Sequence, residues 1–324
     1  MVFNEWLIGK RERMSWIAET SYATGGTMTG GEVIGLNCKI DAGDWSKGFQ
    51  EIISAGADDR LVQGRVEGPQ TLPYTMSFTP VNWLWLKYIF ADVDADDAGV
   101  KTHTFTMRNT ILSYKLEWAK RATTSHVLTT IGNFVKTATM SFTKATGEGT
   151  EGFITVALGC MGQDVTPGSS VTTLSAGNIT KTGFQYRMIN WVLNSTEIPE
   201  VNNGEITFDA GINDNDSRYC NTTLNNLVGE PIPITFRING RFNVNIRDST
   251  MFDFWDAAVA VGGTNTLLVD RDGTGDDQLL ITFGDFYILG SVASTNLEGV
   301  TSVDVVWSAD SITSLVARDD IATY

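Results

Sequence analysis

The chain has 324 residues, of which 42% are hydrophobic and only 19% charged, which is enough for two compact domains of ordinary size, each with a core. A formal net charge of −15 argues against tight nucleic-acid binding, because an acidic surface repels the phosphate backbone. Gly, Thr, Ser and Asn abound, and the long Glu/Lys/Leu/Ala runs of helical proteins are missing, so strands and turns are expected.

Cys38, Cys160 and Cys220 are far apart, odd in number and without CxxC spacing, which fits neither a disulfide framework nor a zinc site. Free buried thiols in a reducing cytoplasm are the expectation. No stretch of eighteen apolar residues is present, so no membrane span is expected. The start, Met1 to Trp6, has an early acid and no apolar run, so no secretory signal is expected. The sequons at Asn178, Asn194 and Asn221 then read as chance in an Asn/Thr-rich chain.

In chain order, residues 1–32 form an N-terminal arm. Its basic stretch from Trp6 to Trp16 runs into the Gly/Thr segment Thr24 to Gly31, and its apolar residues need cover from a partner subunit or from the chain's own body. A first β-domain is expected over 33–163. It opens with a strand at Val33 to Ile40. A hairpin follows, with arms Phe49 to Ile53 and Arg60 to Val66 around the turn-rich Ser54 to Asp59. Thr71 to Phe78 alternates, placing Leu72, Tyr74, Met76 and Phe78 on one face.

Thr79 as N-cap and Pro80 at the first helical position predict a helix over Val81 to Phe90, apolar all round and therefore covered. Asp92 to Asp97 and Gly99 then read as an acidic loop. Strands follow at Thr102 to Met107, Leu112 to Trp118, Asn133 to Lys144 and Gly152 to Cys160. Residues 164–182, rich in Gly, Ser and Thr, form the expected linker.

The expected second domain, 183–324, repeats this order. Phe184 to Leu193 matches the opening strand. Ile232 to Ile238 and Arg241 to Ile246 read as a hairpin about Asn239-Gly240, a type I′ turn signal. Asp248-Ser249 caps a second short helix over Thr250 to Ala260, with Gly262 as its stop. A second acidic loop and four strands follow: Gln278 to Phe283, Phe286 to Val292, Ser302 to Ser308 and Ile312 to Ala317. The last two parallel Asn133 to Phe142 and Phe153 to Leu158. The expected fold is all-β with a few short helices: two tandem β-sandwich or barrel domains, each with one flanking α-helix.

The search for chemistry returns little. His103 and His126 have neither metal nor triad spacing. There is no GxSxG elbow, P-loop or GxGxxG opening a helix. Asp270, Asp272 and Asp276 form a candidate calcium loop, yet position 12 of such a loop falls on Ile281 rather than Glu, so a solvated turn is the stronger reading. The nine tryptophans fall mostly on periodic apolar faces and read as core. No catalytic pair, cofactor site or enzyme activity is indicated.

The Gly/Thr arm, the Phe49–Val66 hairpin, the Thr79-Pro80 helix signal and the duplicated order with Asp248-Ser249 together resemble the two-domain tail tube (major tail) proteins of tailed bacteriophages and archaeal tailed viruses. The resemblance covers nearly the whole chain, and no signature residue carries over from it. It implies a virion structural protein, made and assembled in the host cytoplasm, whose subunits form three-fold or six-fold rings stacked into a conduit for viral DNA. The implied partners are the chain itself, tape-measure, terminator and baseplate or tip proteins, and DNA passing through the lumen without specific binding. Trp6, Trp16, Phe49, Ile52, Val62 and Val66 are the candidate assembly residues, and acids such as Asp58, Asp59 or Glu67 are candidates for facing an acidic bore. The alternative is a carbohydrate-binding β-sandwich module on a virion or secreted surface.

Overall fold

The structure is a computed structural model. It describes residues 12–23, 28, 32–42, 46–52, 64–96, 100–107, 109–121, 125–144, 152–168, 170, 182–198, 201–213, 230, 232–245, 260–294 and 302–319. Within these the chain is almost entirely strand. The N-terminal half supplies β1 (Glu12–Ala18), β2 (Glu32–Val33), β3 (Leu36–Ala42), β4 (Ser46–Ile52), β5 (Gly64–Thr79), β6 (Ala91–Asp96), β7 (Lys101–Thr106), β8 (Tyr114–Arg121), β9 (Ser125–Thr143), β10 (Thr155–Gly162) and β11 (Asp164–Gly168). The C-terminal half supplies β12 (Ile189–Leu193), β13 (Thr196–Glu197), β14 (Val201–Asp209), β15 (Ile212–Asn213), β16 (Ile232–Pro233), β17 (Arg237–Asn245), β18 (Asn265–Asp270), β19 (Gln278–Phe283), β20 (Phe286–Ser294), β21 (Ser302–Ala309) and β22 (Ile312–Asp319).

These form a thirteen-stranded sheet, a seven-stranded sheet and the small β15–β16 ladder. Pairing is antiparallel throughout. Eight strands of the large sheet run in the order β3-β5-β10-β9-β14-β17-β21-β20. The seven-stranded sheet runs β13-β12-β18-β19-β22-β7-β6. The expected division at 164–182 does not separate the sheets. β9 pairs with β14 in one and β7 with β22 in the other, so both sheets contain strands from both halves. Asp164 to Gly168, expected as linker, is instead a strand on β9.

Strands expected to correspond in the two halves pair alike in part and differ in part. β18–β19 mirrors β6–β7, and β20–β21 mirrors β8–β9. The last strands differ: β10 lies between β5 and β9, whereas β22 lies in the other sheet between β19 and β7.

The core forms between the sheets, because alternate residues of each strand face inward. One inward row crosses the large sheet as Met76, Leu158, Ala138, Phe208, Ile238, Ala309 and Phe286, all buried. From the seven-stranded sheet, Trp191 and Phe283 meet it. Trp191 lies 5.6 Å from Phe242 and 5.8 Å from Trp307, and Phe283 lies 5.3 Å from Trp307. Trp16 of β1 belongs to the same core. It is fully buried, 4.7 Å from Tyr88 and 5.5 Å from Tyr114, so the chain's own body covers it.

Several expectations fail for identifiable reasons. The helix over Val81 to Phe90 is only a 3-10 turn at Leu84–Tyr88, entered through Asn82, whose Oδ1 accepts the Leu84 amide at 3.1 Å. Thr79 ends β5 rather than capping a helix. The carbonyls an α-helix would need are taken elsewhere: that of Pro80 accepts Phe184 N–H at 3.1 Å and that of Val81 accepts Arg271 at 2.8 Å. The expected burial of this segment does hold, since residues 80–90 are all buried. Asp92 to Asp96 is not a loop but most of β6, paired along β7. Phe184 to Leu193 is a 3-10 turn (Tyr186–Met188) leading into β12. The second helix, from Thr250 on, lies outside the described residues except for Ala260.

Asn239-Gly240 is no turn either. β17 runs straight through it, between β14 and β21. Among the described residues, a left-handed two-residue turn stands instead at Asn194-Ser195 (φ 50° and 61°), joining β12 to β13. The glycine in β17 is needed for clearance. Gly240 lies on the inward row Phe78, Val156, Met140, Ile206, Gly240, Trp307, Ile288. A Cβ there would lie 2.5 Å from Trp307 Cζ2 and would run into the Glu205 carbonyl oxygen. Gly204 does the same on the next row, where a Cβ would lie 2.5 Å from Phe142 Cζ.

Gly240→Ala is therefore expected to cost about 1–3 kcal/mol in urea unfolding, the range for overpacking a core. Trp307→Phe in that background should recover part of the loss. Additive losses in the double variant would show that the indole and the glycine are not coupled.

Candidate interaction surface

The outward face of the eight-stranded stretch carries the complementary alternation. One row reads Lys39, Ser77, Ala157, Thr139, Thr207, Asn239, Ser308, Tyr287. Across the junction of the two halves, Thr139 and Thr207 hydroxyls hydrogen-bond at 3.0 Å. Neighbouring rows add Thr75, Gly159, Thr137 and Asp209, then Thr155, Ser141, Glu205 and Arg241. Small hydroxyl and amide side chains dominate.

The charges on this face are mixed, and two of its carboxylates, Glu205 and Asp41, are paired with cations. Arg241 Nε lies 2.9 Å from Glu205 Oε1, Lys39 lies 3.9 Å from Asp41, and Asp304 accepts Asn243 at 2.8 Å. A shallow groove of about 460 Å³ opens over Gly159, walled by Asp41, Thr75, Lys136, Thr137 and Met161.

At one end of the row, β20 pairs only with β21 among the described residues. A bulge between Ile288 and Gly290 leaves Leu289 59% exposed, next to Val306, which is 46% exposed. At the other end, β4 pairs with the first part of β5, a ribbon continuing the strand beyond its partners β3 and β10. The face is thus polar, and its strand edges are open at both ends among the described residues.

Beneath the groove lies a buried polar cluster that gave no sequence signal. The Tyr74 hydroxyl donates to Asn133 Oδ1 at 3.0 Å and sits 2.9 Å from the Tyr114 hydroxyl. Tyr114 donates to Cys160 Sγ at 3.1 Å, and Asn133 Nδ2 donates to the Tyr114 carbonyl at 2.8 Å. Burial pushes both phenols well above their ordinary range. It also pushes the Cys160 thiol up to about 12, against the opposing pull of the hydrogen bond that Tyr114 donates. Such a thiol is structural rather than nucleophilic.

Other buried polar contacts brace the fold. The Glu19 carboxylate accepts the amides of Gly132 (3.2 Å) and Ala23 (3.0 Å), fixing the kink where β9 changes neighbours. Arg271 lies 3.9 Å over the Phe184 ring and donates to Asp277 (2.7 Å) and to the Val81 carbonyl (2.8 Å). His103 and Asp319, both fully buried, meet at 3.4 Å where β7 joins β22. Glu19 with Gly132, Arg271 with Val81, and His103 with Asp319 are brought together only by the fold, so residue spacing could not have revealed them.

The singled-out residues fall as follows. Phe49 and Ile52 lie on β4, opposite Glu67 and Gly64 of β5, and Val66 lies opposite Gln50. Trp6, Val62, Asp58 and Asp59 lie outside the described residues, as does Cys220. His126 lies on β9 opposite Lys120. Two of the three calcium candidates are engaged in turns: Asp270 Oδ1 accepts the amides of Asp272 and Gly273, and Asp272 accepts the amide and hydroxyl of Thr274. Among the described residues no group of three or more His, Cys, Asp and Glu could hold a metal ion. No helix among them is long and apolar enough to cross a membrane. Trp16, Trp83, Trp85, Trp191 and Trp307 are all fully buried, which leaves none of these five for a sugar-stacking platform.

Some burial raises the Asp272 carboxyl, but the hydrogen bonds from Thr274 outweigh it and bring the group from 3.8 down to about 2. Its support of the turn is complete above the ordinary value and fades as pH falls through about 2. Thr274→Val should move the Asp272 midpoint upward in an NMR titration; an unchanged midpoint would remove the hydroxyl from this role. Cys160 in the folded chain should resist iodoacetamide at mildly alkaline pH and react once the chain is unfolded.

A scan against models of known protein families finds no match for the chain, and a search of curated proteins finds none.

Proposed function

We propose that the chain is a self-assembling structural subunit, specifically the tube protein of a viral tail, and not an enzyme. The observation that carries this reading is the long antiparallel sheet with a polar outer face and open strand edges at both ends among the described residues. Open edges invite pairing with another chain, and a closed ring of copies satisfies them. The exposed Leu289 and Val306 beside one edge supply apolar contact area for a neighbour.

Closing such a ring through the edges turns the uncovered face toward the bore, because the seven-stranded sheet occupies the other side. The bore wall is then made largely of Thr, Ser and Asn, with Arg241–Glu205 and Lys39–Asp41 paired and with Val306 and Leu289 exposed toward its β20 end. It offers a phosphate backbone no array of cations to hold it, while the net acidity of the chain disfavours sticking. On this reading the partners are further copies, the proteins that start, measure and end the tail, and DNA in transit. The place of action is the virion tail, after assembly in the host cytoplasm.

Negative-stain electron microscopy of concentrated purified protein tests the proposal, with sedimentation velocity alongside. Hollow tubes or stacked rings of uniform diameter are expected, and Leu289→Lys should give a folded protein that no longer assembles. Chains that stay monomeric at every concentration yet bind glycans would replace the tube reading with the carbohydrate module.

A further inference from the structure

The two Asn-Gly sequences of this chain, Asn203-Gly204 and Asn239-Gly240, have an unusual setting. Asn-Gly is the dipeptide most open to intramolecular deamidation, because glycine places no side chain in the path of its own nitrogen. That nitrogen attacks the Asn carboxamide carbon, forming a succinimide and releasing ammonia. Water, the only co-reactant, then opens the ring at either carbonyl, leaving aspartate or isoaspartate.

Both pairs lie inside strands with partners on each side. Asn239 is paired with Thr207 and Ser308, and Gly240 with Ile206 and Trp307. Asn203 is paired with Thr143 and Asn243, and Gly204 with Phe142 and Phe242. An extended backbone turns the glycine nitrogen away from the carboxamide carbon, and pairing on two sides blocks the rotation that would bring it back. Neither glycine is replaceable without a clash, since each leaves room for a buried aromatic. The reactive sequence is therefore imposed by the core, and the same core suppresses its reaction.

We propose that Asn203 and Asn239 are latent modification sites: inert while the sheet is paired, converted to aspartate and isoaspartate in any chain that stays unfolded. Isoaspartate adds a methylene to the backbone. In β17 it would break the alternation that points Ile238, Phe242 and Val244 inward, and in β14 that of Ile206 and Phe208. A chain that has lingered unfolded is thereby marked and loses the ability to complete the sheet, without any enzyme acting on it.

Folded protein and urea-unfolded protein, incubated side by side at mildly alkaline pH and followed by peptide mapping for isoaspartate, test this. Both sites should stay unconverted in the folded protein and convert in the unfolded one, with refolding yield after urea removal falling in step. The Asn203→Gln, Asn239→Gln double variant should keep its refolding yield over the same incubation. Equal conversion in folded and unfolded chains would overturn the protection, and converted wild-type chains that refold fully would overturn its consequence.

Discussion

The pairing of β9 with β14 holds the molecule together. β9 is nineteen residues long, and its two ends serve different neighbours: β8 and β11 flank its start, β10 and β14 its end. The change of neighbours needs a local break in the strand, which Gly132 provides at φ +60° with its amide held by Glu19. Without that kink, β9 would extend one half only. With it, the inward rows of the first half run on into the second, and Met140 and Ala138 meet Ile206 and Phe208 in one uninterrupted core.

The same continuity explains why the outer face is so different from the chain as a whole. A sequence with a net charge of −15 places the Arg241–Glu205 and Lys39–Asp41 pairs on this sheet and fills much of the rest of its surface with hydroxyls and amides. Large side chains are spent on the inner rows, where Trp307 and Phe142 each rest over a glycine of the next strand. The outer rows need only residues that tolerate a pleated, half-exposed position, which Thr, Ser and Asn do.

Much of the fold was legible in the sequence wherever alternation was strict. Leu72, Tyr74, Met76 and Phe78 face inward as their spacing requires, and β19 starts and ends where the pattern does. Legibility failed where tertiary demands overrode local signals. Asn239-Gly240 carries turn chemistry but is fixed as strand by the room Trp307 needs. The Thr79-Pro80 helix signal is defeated by carbonyls engaged by Phe184 and Arg271, residues far along the chain. Alternating aspartates made β6 look like solvent-facing loop. The candidate surface was invisible for a different reason: a face assembled from eight strands exists only once their order is known. So too the Tyr74–Tyr114–Cys160 cluster, whose members stand on three different strands.

The position of β22 has a consequence for the order in which the protein can be built. It is an interior strand of its sheet, between β19 and β7, although it follows every other described strand in sequence. A ribosome delivers β6 and β7 early, as a hairpin whose remaining edge has no partner in that sheet until Lys101 can meet Asp319. Native pairing of the free β7 edge must therefore wait for Ile312–Asp319, even though β5, β8, β9 and β10 can pair among themselves earlier. Non-local closure of this kind slows folding and prolongs the exposure of unpaired strands. Any shortening that removes Ile312–Asp319 would take away an interior strand and leave β7 with an unpaired edge, so the N-terminal half has no complete sheet of its own.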